Sequence, residues 1–381
     1  MSTDRIRCVI MRGGTSKALF LRESDLPVDQ KKKDQLILSL FGSPDKRQID
    51  GLGGADPLTS KLAIIGPSNR LEADISYTFA QVGIEESVVD YRSLCGNISA
   101  AVGHYAVFEG LVPIMTPITT VCVFNKNLNR ILRIEVPVND QKPLEEGDYI
   151  TPGVPGSGAK ITLDLRHTAG GTTGRLLPTG SPIDMLNVSG VGEIEASIVD
   201  VGNAHVFVRA EDLGLTGIET PSEIDQNSKL TEYLESIRAT AAYRIGMIDD
   251  PKQSKKKSPA TPIIGFVAPP KSYRTYLNNI RISTDEIDLV SRLMYMQITH
   301  KTYAGTSTVC TGVAARIKGT IVHEVSSGRD NIRLRIGHPA GVIETESIVE
   351  QISSEYVVKR ATIGRTARRL MEGYSFIHSS I

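Results

Sequence analysis

Two short stretches of this 381-residue chain join a cysteine to the small residues that let a helix begin tightly. One is Leu94-Cys95-Gly96-Asn97-Ile98-Ser99-Ala100-Ala101-Val102-Gly103; the other is Val309-Cys310-Thr311-Gly312-Val313-Ala314-Ala315-Arg316. Each reads as a cysteine that opens a helix. A thiol there lies in the positive end of the helix dipole, which favours the thiolate. The first backbone N–H groups are unpaired and can bind a carboxylate. Two such ends facing each other would hold a small anionic acid between two proton-transfer groups. The competing reading is that each cysteine is a small buried residue. Cys310 lacks the Gly-Asn that follows Cys95, and Cys8 and Cys122 lie in apolar strand-like runs that read as core.

Two glycine-rich loops offer further anion contacts. In Arg12-Gly13-Gly14-Thr15-Ser16-Lys17 the glycines let backbone N–H groups approach a ligand, and Thr15 and Ser16 add hydroxyls. A plain hairpin turn explains the same residues, and the spacing of a P-loop is absent. The run from Asp50 to Lys61 places Ser60-Lys61 just before an apolar strand. Lys61 there is either a general acid/base, if partial burial lowers its pKa, or an ordinary surface lysine. Asn203 and His205 flank a glycine turn in Val201-Gly202-Asn203-Ala204-His205. Gly337-His338-Pro339-Ala340-Gly341 reads as a turn, and His104 and His167 have no supporting context.

The elements around these residues follow from periodicity and punctuation. Strands are predicted over 5–11, 18–21, 62–66, 75–82, 116–124, 130–136 and 159–164. An amphipathic helix is predicted over 30–40, and a helix over 95–109 with Gly110 as its stop. Residues 170–180, rich in Gly, Thr and Pro, read as a linker or an active-site loop. The second half gives strands at 196–200, 204–209 and 263–268, a long helix over 223–244, a helix over 310–317, and strands near 321–325 and 331–336. Lys255-Lys256-Lys257 reads as a solvated loop. A strand–glycine turn–strand unit followed by a cysteine-opened helix thus occurs in each half. The expected organisation is two similar domains, 1–185 and 186–381, with the final strand able to return to the first.

Composition narrows the class. A chain of this length is too long for one ordinary core. Hydrophobic residues make up 40% and charged residues 23%, with 43 basic and 43 acidic side chains. No global field attracts nucleic acid or an anionic membrane, so an acidic ligand must meet local sites. Four scattered cysteines argue for a reducing compartment and against a disulfide scaffold or zinc site. The opening MSTDRIRCVIMRGG lacks the apolar core of a signal peptide, and no apolar run approaches a membrane span. A cytoplasmic enzyme is the expectation, with a homodimer as the commonest closed assembly.

Taken in order, Met11–Lys17, Asp50-Gly51-Leu52-Gly53-Gly54, Thr59-Ser60-Lys61, Cys95-Gly96-Asn97 and Gly337–Gly341 resemble the PrpF family of methylaconitate isomerases, methylitaconate delta-isomerases and oxalomesaconate tautomerases. The turn at Val201–Val206 is similar to that of the wider diaminopimelate epimerase-like fold. The resemblance implies an α+β fold: two domains, each a curved, barrel-like mixed sheet around a central helix, with a ligand cleft between them. It implies proton transfer without cofactor or metal, with Lys61 and Cys95 as acid/base groups. Arg12, Gly13, Gly14, Thr15, Ser16 and Ser60 would line the carboxylate site, with Gly96, Asn97 and Ser99 as donors at the first helix. Asn203, His205, Cys310, Thr311 and Gly312 would serve from the second half. Cys310-Thr311-Gly312 matches the second epimerase motif, Cys-Gly-Thr-Gly, only in part. The expected function is isomerisation of an unsaturated di- or tricarboxylate by allylic proton transfer. The alternatives are a tautomerase or amino-acid epimerase of the same fold, or a carboxylate-binding accessory to an aconitase-like dehydratase.

Overall fold

The computed structural model describes residues 5–190, 192–353 and 355–377. The strand order is one pattern used twice. In the first half, β1 (Arg5–Gly13) and β2 (Ser16–Arg22) form a hairpin. Helix α1 (Gln30–Phe41) then crosses to β3 (Lys61–Pro67), which lies parallel to β2. β4 (Ile75–Val82) is antiparallel to β3. Helix α2 (Gly96–Phe108) crosses to β5 (Ile118–Asn125), parallel to β4, and β6 (Arg130–Asn139) closes antiparallel to it.

The second half repeats this after an added strand, β7 (Asp184–Val188), which pairs with β8 (Gly192–Val201). β8 and β9 (Asn203–Arg209) form the hairpin. Helices α3 (Pro221–Asp225) and α4 (Ser228–Arg244) lead to β10 (Ile263–Ala268), parallel to β9, and β11 (Leu289–Tyr295) is antiparallel to β10. Helix α5 (Gly305–Ala314) and the short α6 (Ile321–Val325) lead to β12 (Arg333–His338), parallel to β11. β13 (Gly341–Ile352) and β14 (Glu355–Arg365) follow as antiparallel neighbours. The last strand, β15 (Ala367–Phe376), pairs with β1. By contacts, one unit runs to Leu163 and takes back the chain from Arg365, while the other holds Asp164–Gly364. The first division thus lies earlier in the chain than residue 185.

Each unit is α+β, with two kinds of helix on its sheet. α1 and α4 are amphipathic and cover one face. Leu36, Ile37, Leu40 and Phe41 of α1 pack on Leu19, Leu21, Leu62 and Ile64. Leu234, Ile237 and Ala241 of α4 pack on Ile198, Val206, Ile264 and Phe266. Asp29 caps α1 by accepting from Lys32 N, and Gly42 ends it at φ 71°; that left-handed conformation suits glycine. The central helices differ. Every residue of α2 from Gly96 to Val107 is buried, as is all of α5. A helix wrapped by strands on all sides must be apolar or small all round. Its neighbours come close: a Cβ on Gly103 would lie 2.5 Å from Ile134 Cγ2, and one on Gly312 would lie 2.6 Å from Ser347 Oγ.

Four local expectations are corrected. The second central helix begins at Gly305, so Cys310 lies within it and does not open it. Residues 321–325 form a helical turn, because Thr320 caps them by accepting from His323 N. The predicted helix 223–244 breaks at Gln226-Asn227, where Asn227 caps α4 by accepting from Leu230 N. The lysine run is a short helix, Ser254–Lys257. The Gly/Thr loop after residue 168 is moulded on Asp200, whose Oδ2 accepts from Thr172 N, Thr173 N and Thr173 Oγ1 at 2.7–2.9 Å. Among the described residues, no helix is long and apolar enough to cross a membrane.

Two histidines are sealed in the units. His205 Nδ1 lies 2.9 Å from the Asn203 carbonyl and Nε2 2.7 Å from Ser307 Oγ. His104, on α2, stacks on Phe108, and neither ring nitrogen has a hydrogen-bond partner among the described residues. Glu145 Oε1 is 3.6 Å from its Nε2. Burial lowers both pKa values from 6.5 to about 4; Arg369 and Arg12 add to the effect at His104. The unfolded chain therefore takes up two protons that the folded one refuses. Stability is lost as pH falls from about 6.5 to about 4, with an upper bound of about 3 kcal/mol per histidine. Urea unfolding should weaken over that window, and His104→Leu should flatten the slope by up to about 1.4 kcal/mol per pH unit. Equal slopes in the two proteins would refute the buried-neutral assignment.

Candidate active site

Lys61 is the first residue of β3. The period of two that turns Leu62 and Ile64 toward α1 turns Lys61 to the opposite face, toward α2. Its register partner is Gln81 on β4. Lys61 Nζ donates to Gln81 Oε1 at 2.6 Å and lies 5.4 Å from the centre of the Phe79 ring. The Gln81 amide is oriented by its other end: Nε2 donates to the carbonyls of Ser60 at 3.0 Å and Pro57 at 3.1 Å. Lys61 is buried, and desolvation pushes its ammonium pKa down; a Cys95 thiolate and Asp56 push it back up. A buried lysine whose charged form is disfavoured can exchange a proton more readily than an exposed one.

Cys95 occupies the cap position of α2, in extended conformation, half-buried. Its carbonyl accepts from Ser99 N at 2.8 Å and from Ser99 Oγ at 2.9 Å. Gly96 is the first helical residue. Asn97, in the first turn, ties three segments together. Its Nδ2 donates to Thr15 Oγ1 at 3.0 Å and to Ser16 Oγ at 3.4 Å. Its Oδ1 accepts from Arg365 Nε at 2.7 Å. The turn can sit this close only because it lacks side chains. A Cβ on Gly13 would lie 2.3 Å from Asn97 O; one on Gly14, at φ +49°, would lie 2.4 Å from Asn97 Oδ1.

Arg12 braces the same turn. Its Nη1 donates to the carbonyls of Gly14 at 3.0 Å and Thr366 at 2.9 Å, and to Thr366 Oγ1 at 2.9 Å. Its guanidinium thus holds backbone. Ser60 Oγ donates to the Val82 carbonyl and accepts from Gln48 Nε2, so Ser60 fixes the loop that delivers Lys61. Lys61, Cys95, Gly96, Asn97, Ser99, Gly13–Ser16 and Arg12 therefore belong to one neighbourhood. Sequence reasoning missed two of its members: Gln81 and Arg365. Arg365 is fully buried, and burial pushes its pKa down to about 10.

The second unit has a corresponding arrangement with different chemistry. The Gly202-Asn203 turn meets the opening of α5: a Cβ on Gly202 would lie 3.0 Å from Thr306 Cβ, and Asn203 Nδ2 donates to Thr306 Oγ1 at 3.2 Å. His205, held by Ser307, is a buried neutral ring. By register, Ala18 faces Lys61 across β2 and β3, while His205 faces Ile263 across β9 and β10. The cap of α5 is Ala304, where α2 has Cys95. Cys310 lies in the second turn, its thiol 3.5 Å from the Val199 carbonyl and its pKa raised well above 9 by burial. Thr311 Oγ1 is 2.9 Å from Tyr303 Oη, and Gly312 lies against β13. Thr306 and Ser307 are the polar residues at the helix opening. The run Gly305-Thr306-Ser307-Thr308, five residues before Cys310, was the signal for them. Among the described residues, no group of three or more His, Cys, Asp or Glu is placed to hold a metal ion.

Comparison with known proteins agrees over the whole chain. The family model "PrpF protein" matches residues 3–378. A 3-methylitaconate isomerase from Eubacterium barkeri is 53% identical over 377 residues, covering 99% of this chain and 98% of the relative. A 2-methyl-aconitate isomerase from Shewanella oneidensis is 36% identical, covering 97% and 96%. A crystal structure of methylitaconate-delta-isomerase superposes with a TM-score of 0.82 at 52% identity, covering 100% of this chain and 97% of that one. With that match in sequence and in fold, the chain belongs to the PrpF family.

Proposed function

We propose that this isomerase acts on an unsaturated di- or tricarboxylate of the methylitaconate or methylaconitate type, moving the double bond by allylic proton transfer. The observation that carries this reading is the buried Lys61 amine, fixed by Gln81 and within electrostatic reach of the Cys95 thiol at a helix opening. The relatives' names supply the substrate class.

A carbon next to a carboxylate and a double bond is a weak acid. Removing its proton creates a dienolate whose charge spreads into the carboxylate. Fixed donors aimed at that carboxylate lower the barrier because they need no reorganisation when the charge forms. In this chain they are the first N–H groups of α2, the hydroxyls of Thr15 and Ser16, and the buried charge of Arg365. Lys61 removes the proton from one end of the allyl system. The Cys95 thiol, or the lysine ammonium just formed, returns a proton at the other end. With aconitate-type substrates the shift frees rotation about the former double bond, which gives cis–trans exchange.

The direct test is proton NMR in deuterium oxide with methylitaconate, 2-methylaconitate and both aconitates. Conversion, or deuterium entering a substrate, is the expected result. Binding by calorimetry with no exchange in any of them would instead indicate a carboxylate-binding accessory protein.

Two substitutions test the residue roles. Lys61→Ala should lower kcat by at least about a hundredfold, the scale of a lost general base, while substrate analogues still bind. Cys95→Ser should lose activity on a similar scale, whereas Cys310→Ser should stay within about twofold of wild type, since its thiol faces the Val199 carbonyl inside the helix. Equal damage from the two cysteine substitutions would favour an epimerase with paired thiols.

A further inference from the structure

Gln48 precedes the glycine loop that ends at Lys61, and it has no part in the reaction described above. Its side chain is buried, and its backbone is left-handed at φ 46°. A non-glycine residue held there costs energy and invites a functional reading. Backbone groups fix which way its amide points. Oε1 accepts from Ala55 N at 2.8 Å, so Nε2 faces two hydroxyls, Ser43 Oγ at 3.0 Å and Ser60 Oγ at 2.8 Å. Both hydroxyls then send their protons on: Ser43 donates to the Gly83 carbonyl at 2.7 Å and Ser60 to the Val82 carbonyl at 3.0 Å. Gly53 makes the approach possible, since a Cβ there would lie 2.2 Å from Gln48 Cδ. One amide thus ties the loop, at Ala55 and Ser60, to the end of β4. The adjacent residue of β4 is Gln81. Its Nε2 donates to the carbonyls of Ser60 and Pro57 in the same loop, and its Oε1 accepts from Lys61.

We propose that Gln48 is a positioning residue for Lys61: by holding Ser60 and the loop against β4, it sets the Gln81 oxygen that receives the Lys61 N–H. This rests on the reading of Lys61 as a proton-transfer group. With Nε2 engaged by two carbonyls, Gln81 presents an acceptor to Lys61, which fixes how the amine is turned. An acceptor at 2.6 Å favours the ammonium over the amine and so opposes burial. Losing it lowers the proton affinity of Lys61. Cys95 at the head of α2 and Asp56 of the loop also bear on the amine. A loop that merely loosens would act through the charge of Asp56, with or without Gln81. The relay acts through Gln81 alone.

The experiment reads the amine without turnover. Lys61 is labelled with acetic anhydride across a pH series, in competition with an added simple amine, and its labelling is followed by peptide mapping. Gln81→Leu, which removes the acceptor, should lower the Lys61 midpoint by about one pH unit, a tenfold change in proton affinity. Gln48→Met, an unbranched replacement of similar volume, should lower it in the same direction by at least about half a unit. In the double variant the midpoint should match that of Gln81→Leu alone, because the second loss has nothing left to act through. In turnover, kcat of Gln48→Met should fall about tenfold with KM within about twofold. If Gln48→Met loses its cooperative melt, Ser60→Ala removes the middle link and carries the same expectation. An unchanged midpoint in a folded variant, or an undiminished shift in the Gln81→Leu background, would overturn the proposal. Absence of turnover in wild type, with a midpoint shift that Gln81→Leu absorbs, would count against the reaction and leave the Gln48 assignment standing.

Discussion

The arrangement at the first helix depends on the side chain of Asn97. One amide engages Thr15 and Ser16 of the hairpin turn through its nitrogen and Arg365, distant in the chain, through its oxygen. Both ends are buried, so leaving either unmade costs the full desolvation penalty, about 1–3 kcal/mol. That penalty fixes the amide's orientation and the distance between turn and helix. The distance in turn excludes a Cβ at Gly13 and Gly14. The glycines, the asparagine and the arginine are one constraint written in three parts of the chain. Aspartate at position 97 would keep the bond from Arg365 but lose the donor to Thr15.

The repeated strand order shows what the frame supplies and what the residues supply. Both units present a hairpin turn to the opening of a central helix. The first furnishes this junction with a thiol at the cap and a lysine at the head of the neighbouring strand. The second has Ala304 at the cap and Ile263 at the register position of Lys61, with hydroxyl groups and a neutral histidine nearby. One frame therefore carries a thiol and a buried amine in one unit and hydroxyl groups with a neutral histidine in the other. A racemase with matched thiols would need a cysteine at both caps, and Cys310 is inside its helix, held against a carbonyl.

Much of this was legible in the sequence because local signals carried it. The apolar runs 75–82 and 263–268 stand as strands with those bounds, and Cys95 does cap its helix. The second helix was misplaced because Gly305-Thr306-Ser307-Thr308 has poor helix propensity. Its helicity comes from burial on every side, and Thr308 returns its hydroxyl to the Ala304 carbonyl. Residues 321–325 carry the β-branched pattern of a strand, overridden by the Thr320 cap. Gln81 and Arg365 escaped notice for another reason. Gln81 acquires meaning only when β4 is laid against β3, and Arg365 only when it meets Asn97 across 268 residues. Periodicity reports which face a residue takes, but not who stands opposite.

At the junction a buried amine and a buried arginine both bear on the Cys95 sulfur. Burial alone makes Lys61 a better proton donor and a poorer base, because it disfavours the ammonium that a base must become. In the proposed reaction the missing stabilisation arrives with the substrate. A carboxylate brought within a few ångströms of the amine raises its proton affinity, and in a site stripped of water this effect is strong. Two or three carboxylates near Lys61 with no other cation would overshoot: the amine would take its proton from solvent before it met the carbon acid. Arg365, bonded to Asn97, holds a buried positive charge against the Gly13-Gly14 turn. In that reading, burial disfavours the Lys61 ammonium, and its proton affinity rises when an anion with an acidic C–H is in place. In that reading, replacing Arg365 with a neutral residue would remove both its bond to Asn97 and the buried positive charge at the turn, and so weaken the hold on the carboxylate.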